Sequence, residues 1–368
     1  MPTLTLVSFA LSLLAVAHAV GAAPAHACTA FAIPTSATGI VAKSYDWGYG
    51  GGLAFANPRG AHKRAWLIGD AGPALTWTSR HASLTFNQLG RDMPMGGMNE
   101  AGLVVEILWL EQTRYESPDP RPSVNESQWI QWQLDTASSV AEVLRNAALA
   151  RVAMVRAPVH YFVCDRAGAC AVVEYLQGRL AVHHAETLVT PVLANDSYAT
   201  SMHAFARYMG IGAQRGVPRG HSSSARFLRA AEAVRAFSLA EVRKQDSDAV
   251  AFAFDALTRV RQPGYTQWQL VYETRAGRVH FRLPGEKQAT TFDVSAIARR
   301  SCSEGPAIAD LAGGLLSAPP RAWQAYSRAA QEKSLAAGLD SLGVLLPDHA
   351  LDALVRYPER TTSCAASP

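Results

Sequence analysis

The sequence has 368 residues, 49% of them hydrophobic and 17% charged, with a formal net charge of +4. That charge is too small and too scattered for a nucleic-acid footprint, and the apolar fraction excludes a disordered chain. Length alone allows one large domain or two ordinary ones.

The first predicted element is an export signal. Leu4 to Ala17 is a mostly apolar run of about 14 residues, too short to span a bilayer but suited to the h-region of a signal peptide. Ala25-His26-Ala27 has the small-residue pattern of a cleavage site, and a cut there makes Cys28 the first residue. A second such pattern, Ala17-His18-Ala19, allows an earlier cut with Val20 to Ala27 removed later as a propeptide. Either route exposes Cys28. The run lacks the usual preceding Lys or Arg, and a lipid anchor at Cys28 is disfavoured because no aliphatic residue stands three positions before it. Removing residues 1–27 from 368 leaves 341, and a signal implies a periplasmic or secreted chain.

A terminal Cys28 would carry both a thiol and an α-amine. Such an amine titrates near about 8, against about 10.4 for lysine, so it can take a proton at neutral pH. One residue then supplies nucleophile and base. The competing reading of Cys28 is a buried small hydrophobe or half of a disulfide. The chain has five cysteines, so one is left over after pairing. Cys164 and Cys170 flank a hairpin-like connection that would place them on facing strands, and Cys302 with Cys364 would staple the tail to the body.

Downstream, the pattern predicts strands joined by turns with helices in two blocks. Cys28 to Ile33 and Gly39 to Ser44 form a first hairpin around Pro34 to Thr38. Leu75 to Thr78 and Ser83 to Phe86 alternate, and Leu103 to Leu110 is a denser run suited to a strand buried on both faces. A helical block follows Asn125, with Val140, Val143, Leu144 and Ala147 on one face. His160 to Val163, Ala171 to Tyr175 and Arg179 to His183 make a meander. Ser222-Ser223-Ser224 caps a second block carrying Phe227, Ala230, Ala231 and Val234, and another helix is expected over Leu239 to Val260. Gln267 to Thr274 and Arg278 to Leu283 form a last hairpin, and Trp323 to Leu342 reads as helical.

Hairpins separated by helix pairs predict an α+β fold: two antiparallel sheets packed together with helices outside, a four-layer αββα arrangement. That is one domain over 28–368, with 302–368 an extension packed on it. Gly48 to Gly52 lacks the Lys-Ser/Thr of a phosphate loop and is read as a loop at the mouth of the site. His160, His183 and His184 show no metal-binding pattern, and G-x-S-x-G and S-x-x-K are absent.

The segments Cys28-Thr29-x-Phe31, Ala42-Lys43-Ser44-Tyr45-Asp46-Trp47, Gly97-Met98-Asn99-Glu100-Ala101-Gly102-Leu103, Leu193-Ala194-Asn195-Asp196-Ser197, Ser224-Ala225-Arg226-Phe227 and Thr266-Gln267-Trp268 follow in one order over about 240 residues. As a set they resemble the choloylglycine hydrolase family of N-terminal nucleophile hydrolases, which holds penicillin V acylases and bile salt hydrolases. The resemblance implies hydrolysis of a linear amide in a small-molecule substrate, no cofactor and no metal, no nucleic acid or membrane span, and a homotetramer.

It also implies roles. Cys28 is the nucleophile, and Asp46 orients its α-amine. Asn195 donates to the oxyanion, although Asn195-Asp196-Ser197 is a formal glycosylation sequon, as is Asn125-Glu126-Ser127. Arg226 supports the nucleophile and the amine end of the substrate. Lys43 stands where the family usually has arginine, so charge is kept while the planar donor fork is lost. Only five of the 34 basic residues are lysines, which makes the substitution conspicuous. Trp109 falls where bile salt hydrolases place an oxyanion-hole asparagine; its backbone N–H remains as a donor and its ring suits a phenoxyacetyl or fatty acyl group. Tryptophan there resembles the penicillin V acylases of Gram-negative bacteria, which also cleave N-acyl homoserine lactones. The expectation is an acylase of that type, with bile salt hydrolase or an inactive acyl-binding protein on the same scaffold as alternatives.

Overall fold

The computed structural model describes residues 28–35, 39–68, 72–155, 157–212, 216–240, 247–341 and 343–364, so the expected signal over residues 1–27 lies outside them. Two sheets with antiparallel pairing dominate. The first runs edge to edge as Val192–Leu193, Thr29–Ile33, Ile40–Asp46, Thr266–Glu273, Arg278–Arg282 and Thr290–Asp293. The order in the second is Arg179–His184, Cys170–Leu176, Val159–Cys164, Val104–Trp109, Gly96–Asn99, Ser83–Asn87, Leu53–Asn57, Ala307–Asp310 and Gln324–Ala325.

The sheets face one another across a shared apolar core. Phe86 of the second stacks on Phe281 of the first with ring centroids 6.1 Å apart. Alternation along Val104–Trp109 explains why its sequence is apolar on both faces apart from Glu106: Val104 and Leu108 face the other sheet, while Val105 and Ile107 pack into a separate core under helices. Those helices are α1 (Glu126–Thr136) and α2 (Val140–Leu149). Asn125 caps α1, its side chain accepting from the amides of Ser127 and Gln128, and it is buried, so the first sequon is an internal cap.

After α3 (Tyr198–Arg207) come α4 (Ser223–Ala240) and α5 (Ser247–Val260), which lie on the outer face of the first sheet. The result is the four-layer αββα sandwich. The helix expected from Leu239 differs, because Leu239 belongs to the end of α4 and α5 starts at Ser247; residues 241–246 lie outside the described ones.

Beyond α6 (Val294–Ala298) the tail is more than a layer resting on the body. Its strand Ala307–Asp310 pairs with Leu53–Asn57, and Ser363–Cys364 pairs with His62 and Ala61. The helix expected over Trp323 to Leu342 is α7 (Arg328–Ser341), because Gln324–Ala325 pairs instead as an edge strand; Leu342 lies outside the described residues. A further helix, α8 (Asp348–Thr361), follows. Disulfides join Cys164 to Cys170, directly opposite in their hairpin, and Cys302 to Cys364; Cys28 is free and buried. No described helix is long and apolar enough to cross a membrane.

Candidate active site

The first hairpin assembles one end of the site. Cys28 precedes the strand Thr29–Ile33, and the partner strand sets Thr29 opposite Ser44 and Ala30 opposite Lys43. Cys28 Sγ lies 3.9 Å from the backbone oxygen of Asp46. A register shift between Thr266 and Trp268 interrupts the pairing on the far side of Ile40–Asp46, and the Thr266 hydroxyl donates to Asp46 Oδ1 at 2.5 Å. Ser44 donates to the same oxygen at 2.7 Å and Gln262 to Oδ2 at 3.5 Å. Burial pushes the Asp46 carboxyl up from its ordinary value, and these hydrogen bonds together with the Arg226 charge oppose that push.

Arg226, buried near the start of α4, gathers the other residues. Its guanidinium donates to the backbone oxygen of Cys28, to Thr29 Oγ1 at 2.8 Å and to Asn195 Oδ1 at 2.8 Å. Because Oδ1 is taken by a cationic donor, the amide of Asn195 has one allowed orientation, with Nδ2 turned to donate to the Trp109 backbone oxygen at 2.7 Å. The second sequon asparagine is therefore held on both sides by the fold. Lysine could not copy this contact, since it needs a planar fork reaching three acceptors.

Lys43 does not donate to the sulfur. It is fully buried between the sheets, with Nζ bonded to the backbone oxygen of Ile107 and 3.3 Å from Glu106 Oε2. Glu106 in turn accepts from the Tyr272 hydroxyl. Gly96 lies opposite, and a Cβ there would push on the Glu106 carboxylate. Burial raises the Glu106 carboxyl from its ordinary range. Burial likewise raises the Cys28 thiol, and the Lys43 charge is the largest influence holding it down, ahead of Arg226. Glu106 and Tyr272 were not singled out from sequence, although a lone carboxylate inside an apolar strand is itself a signal of buried pairing.

A cavity of about 350 Å³ opens over Cys28 and is lined by Tyr45, Trp47, Met95, Leu108 and Trp109 among others. Trp47 and Trp109 face it with ring centroids 6.0 Å apart, and Gly48 of the glycine-rich stretch borders it. Behind Asn195, the buried ring of His160 bonds Glu174 at 2.9 Å and the Ala194 backbone oxygen at 2.8 Å. A carbonyl only accepts, so Nε2 carries a hydrogen and braces the residue before Asn195. The described residues include no cluster of three or more His, Cys, Asp or Glu side chains fit for a metal ion.

A model of the linear amide C–N hydrolases, choloylglycine hydrolase family, matches residues 87–293. The chain belongs to this family. Among its relatives, the penicillin V acylase of Pectobacterium atrosepticum is 25% identical over 174 residues, 43% of this chain and 46% of the relative, so the match spans under half of that protein. The structure of a penicillin V acylase from Agrobacterium tumefaciens superposes with a TM-score of 0.65 at 25% identity, over 77% of this chain and 91% of that one. A conjugated bile acid hydrolase from Clostridium perfringens shares the family fold, with a TM-score of 0.61 at 19% identity over 73% of this chain and 93% of that one.

Proposed function

We propose that this chain is a cysteine amidohydrolase of the penicillin V acylase type, exported and trimmed so that Cys28 becomes its first residue. The observation that carries the reading is the Arg226 fork, which ties the backbone of Cys28 to the side chain of Asn195. A nucleophile and an oxyanion donor are thereby fixed in one frame. The thiolate of Cys28 adds to the acyl carbonyl, forming the C–S bond while the carbonyl pair moves onto oxygen. Asn195 Nδ2, with one hydrogen on Trp109 O, offers the other to that oxyanion; such a donor is worth about 10²- to 10³-fold in turnover. The freed α-amine takes the thiol proton and passes it to the leaving nitrogen as the C–N bond breaks. Water then attacks the thioester and releases the carboxylic acid. Asp46 orients the ammonium, and Lys43 biases the sulfur toward thiolate through space.

The cavity supports an aryl-acetyl or linear acyl group. Its volume of about 350 Å³ is at the small end of the usual range of about 300–1,000 Å³ and its two indoles present flat apolar walls, a poorer fit for a fused steroid. Two disulfides support an oxidising compartment such as the periplasm. Assembly as a homotetramer belongs to the same reading, and sedimentation analysis checks it.

The decisive experiment incubates native protein and Cys28→Ala with penicillin V, an N-acyl homoserine lactone and a conjugated bile salt, and measures the intact mass of the active form. Turnover of the first two, absent in Cys28→Ala, with a mass beginning at Cys28, is expected. Activity in a form retaining residues before Cys28, or undiminished in Cys28→Ala, overturns the mechanism.

A further inference from the structure

We propose that α7 sets the size of the acyl group this cavity accepts, with Ser341 as the specificity-determining position and Gly338 as the contact that seats the helix. The inference rests on the cavity being the acyl site, as argued above. Among the described residues, the others bordering it lie between Cys28 and Val159, and Gly338 and Ser341 alone come from the C-terminal tail. The family match ends at residue 293, so this part of the wall is built from chain beyond the matched segment.

The wall is docked on the body through polar and apolar contacts. Gln331 Oε1 of α7 accepts from the Arg91 amide at 2.7 Å, and Leu335 is buried with Met93, Leu354 and Val355. Gln128 of α1 donates to the Tyr357 hydroxyl of α8 at 2.6 Å, and the Cys302–Cys364 bridge holds the end of the tail. At Gly338 a Cβ would lie 2.4 Å from the backbone oxygen of Gln88 and 3.2 Å from Leu89 Cδ2. The helix therefore lies against this segment as closely as a bare backbone allows. Gln88 also accepts from the Tyr45 hydroxyl at 2.7 Å, which connects the position of α7 to a residue bordering Cys28. Ser341 Oγ turns back to donate to Gly338 O at 2.6 Å. Gly338 thus lets α7 approach this closely, while the small side chain at 341 leaves volume that a larger one would take from the acyl group.

The test compares native protein, Ser341→Leu and Ser341→Trp on butanoyl, octanoyl and dodecanoyl homoserine lactones. A change of this size in an apolar pocket shifts discrimination by roughly tenfold or more. The ratio of kcat/KM for dodecanoyl over butanoyl should fall by that factor in Ser341→Trp and by less in Ser341→Leu. An unchanged ratio in variants that melt like native protein overturns the proposal; if Ser341→Trp does not fold, Ser341→Leu decides. Should native protein cleave none of the three, the acylase reading fails for this substrate class. Binding of the corresponding fatty acids, followed by titration calorimetry, then judges α7: loss of chain-length preference in the variants supports it and an unaltered preference refutes it.

Discussion

Lys43 and Lys63 are both buried, and each reaches carboxylates, yet their surroundings differ in charge balance. Lys43 has one carboxylate, Glu106, which also receives the Tyr272 hydroxyl. Lys63 has two, Asp92 at 2.8 Å and Asp135 at 2.9 Å, and Asp135 is further bound by the Trp77 indole at 2.7 Å. The first cation keeps a field that reaches Cys28; the second is spent on its own partners in joining the strand Ala61–Arg64 to α1. The same residue type thus acts on a buried thiol in one place and ties the scaffold together in the other.

The sharpest break of this comparison is Lys63→Met. It takes away the cation shared by two buried carboxylates, and removing one partner of a buried charge pair costs about 3–5 kcal/mol. Urea unfolding should show a loss on that scale, while the pH dependence of Cys28 alkylation in the folded protein stays as in native. A shifted alkylation profile would show that Lys63 also acts on the site.

Acid stability separates the two carboxylates around Lys63. The Lys63 charge holds Asp92 below its ordinary value against the cost of burial, whereas burial together with the neighbouring Asp92 charge lifts Asp135. Asp92 therefore contributes stability that is complete above the unfolded carboxyl value, about 3.9, and is lost as pH falls through its lower folded value. Asp135 has the opposite sign: it regains protons in the folded chain first, so acidification relieves a penalty. Asp92→Asn should flatten the loss of stability below about pH 4 by about 1–3 kcal/mol. Asp135→Asn should not flatten it; urea midpoints across pH check both.

Around Lys43 the effect is on chemistry. With Lys43→Met the buried thiol loses the charge that most favours its thiolate, so its titration moves to higher pH. Alkylation by iodoacetamide at neutral pH should slow by about tenfold, the scale of a partly screened unit charge, and Lys43→Arg should restore most of it. Equal rates in Lys43→Met and native would remove Lys43 from the mechanism.

These two lysines also show what could be read along the chain. Lys43 was visible because it stands inside an ordered set of motifs, and so were Cys28, Asp46, Asn195 and Arg226, each tied to a short pattern. Lys63 had no such frame: its partners lie in a loop and in α1, far along the sequence, and only folding makes them neighbours. The strands and the helical blocks over α1, α2 and α4 were legible from apolar period. α3 went unread because Ser197, whose side chain caps it by accepting from the Thr200 amide, also completes a glycosylation sequon. α7 starts later than its composition suggests because pairing with Ala307 and Ile308 claims Gln324–Ala325 for a sheet edge. The part played by α7 in the cavity wall was illegible for the same reason as Lys63, since it depends on contacts at long range.

The finest test acts on the partner and not on the lysine. The Tyr272 hydroxyl, its own proton held firmly by burial, donates to Glu106 and so favours the carboxylate. In Tyr272→Phe that support is gone and the Glu106 carboxyl moves further up. A less ionised Glu106 balances less of the Lys43 charge, and the cation's field on Cys28 grows. The thiol profile should then move to slightly lower pH, opposite in sign to Lys43→Met, with a loss of stability near 1 kcal/mol for the missing hydrogen bond. Alkylation rates across pH read the direction. A shift upward would mean that Glu106 stays charged without its tyrosine, and that Tyr272 positions the pair without tuning it.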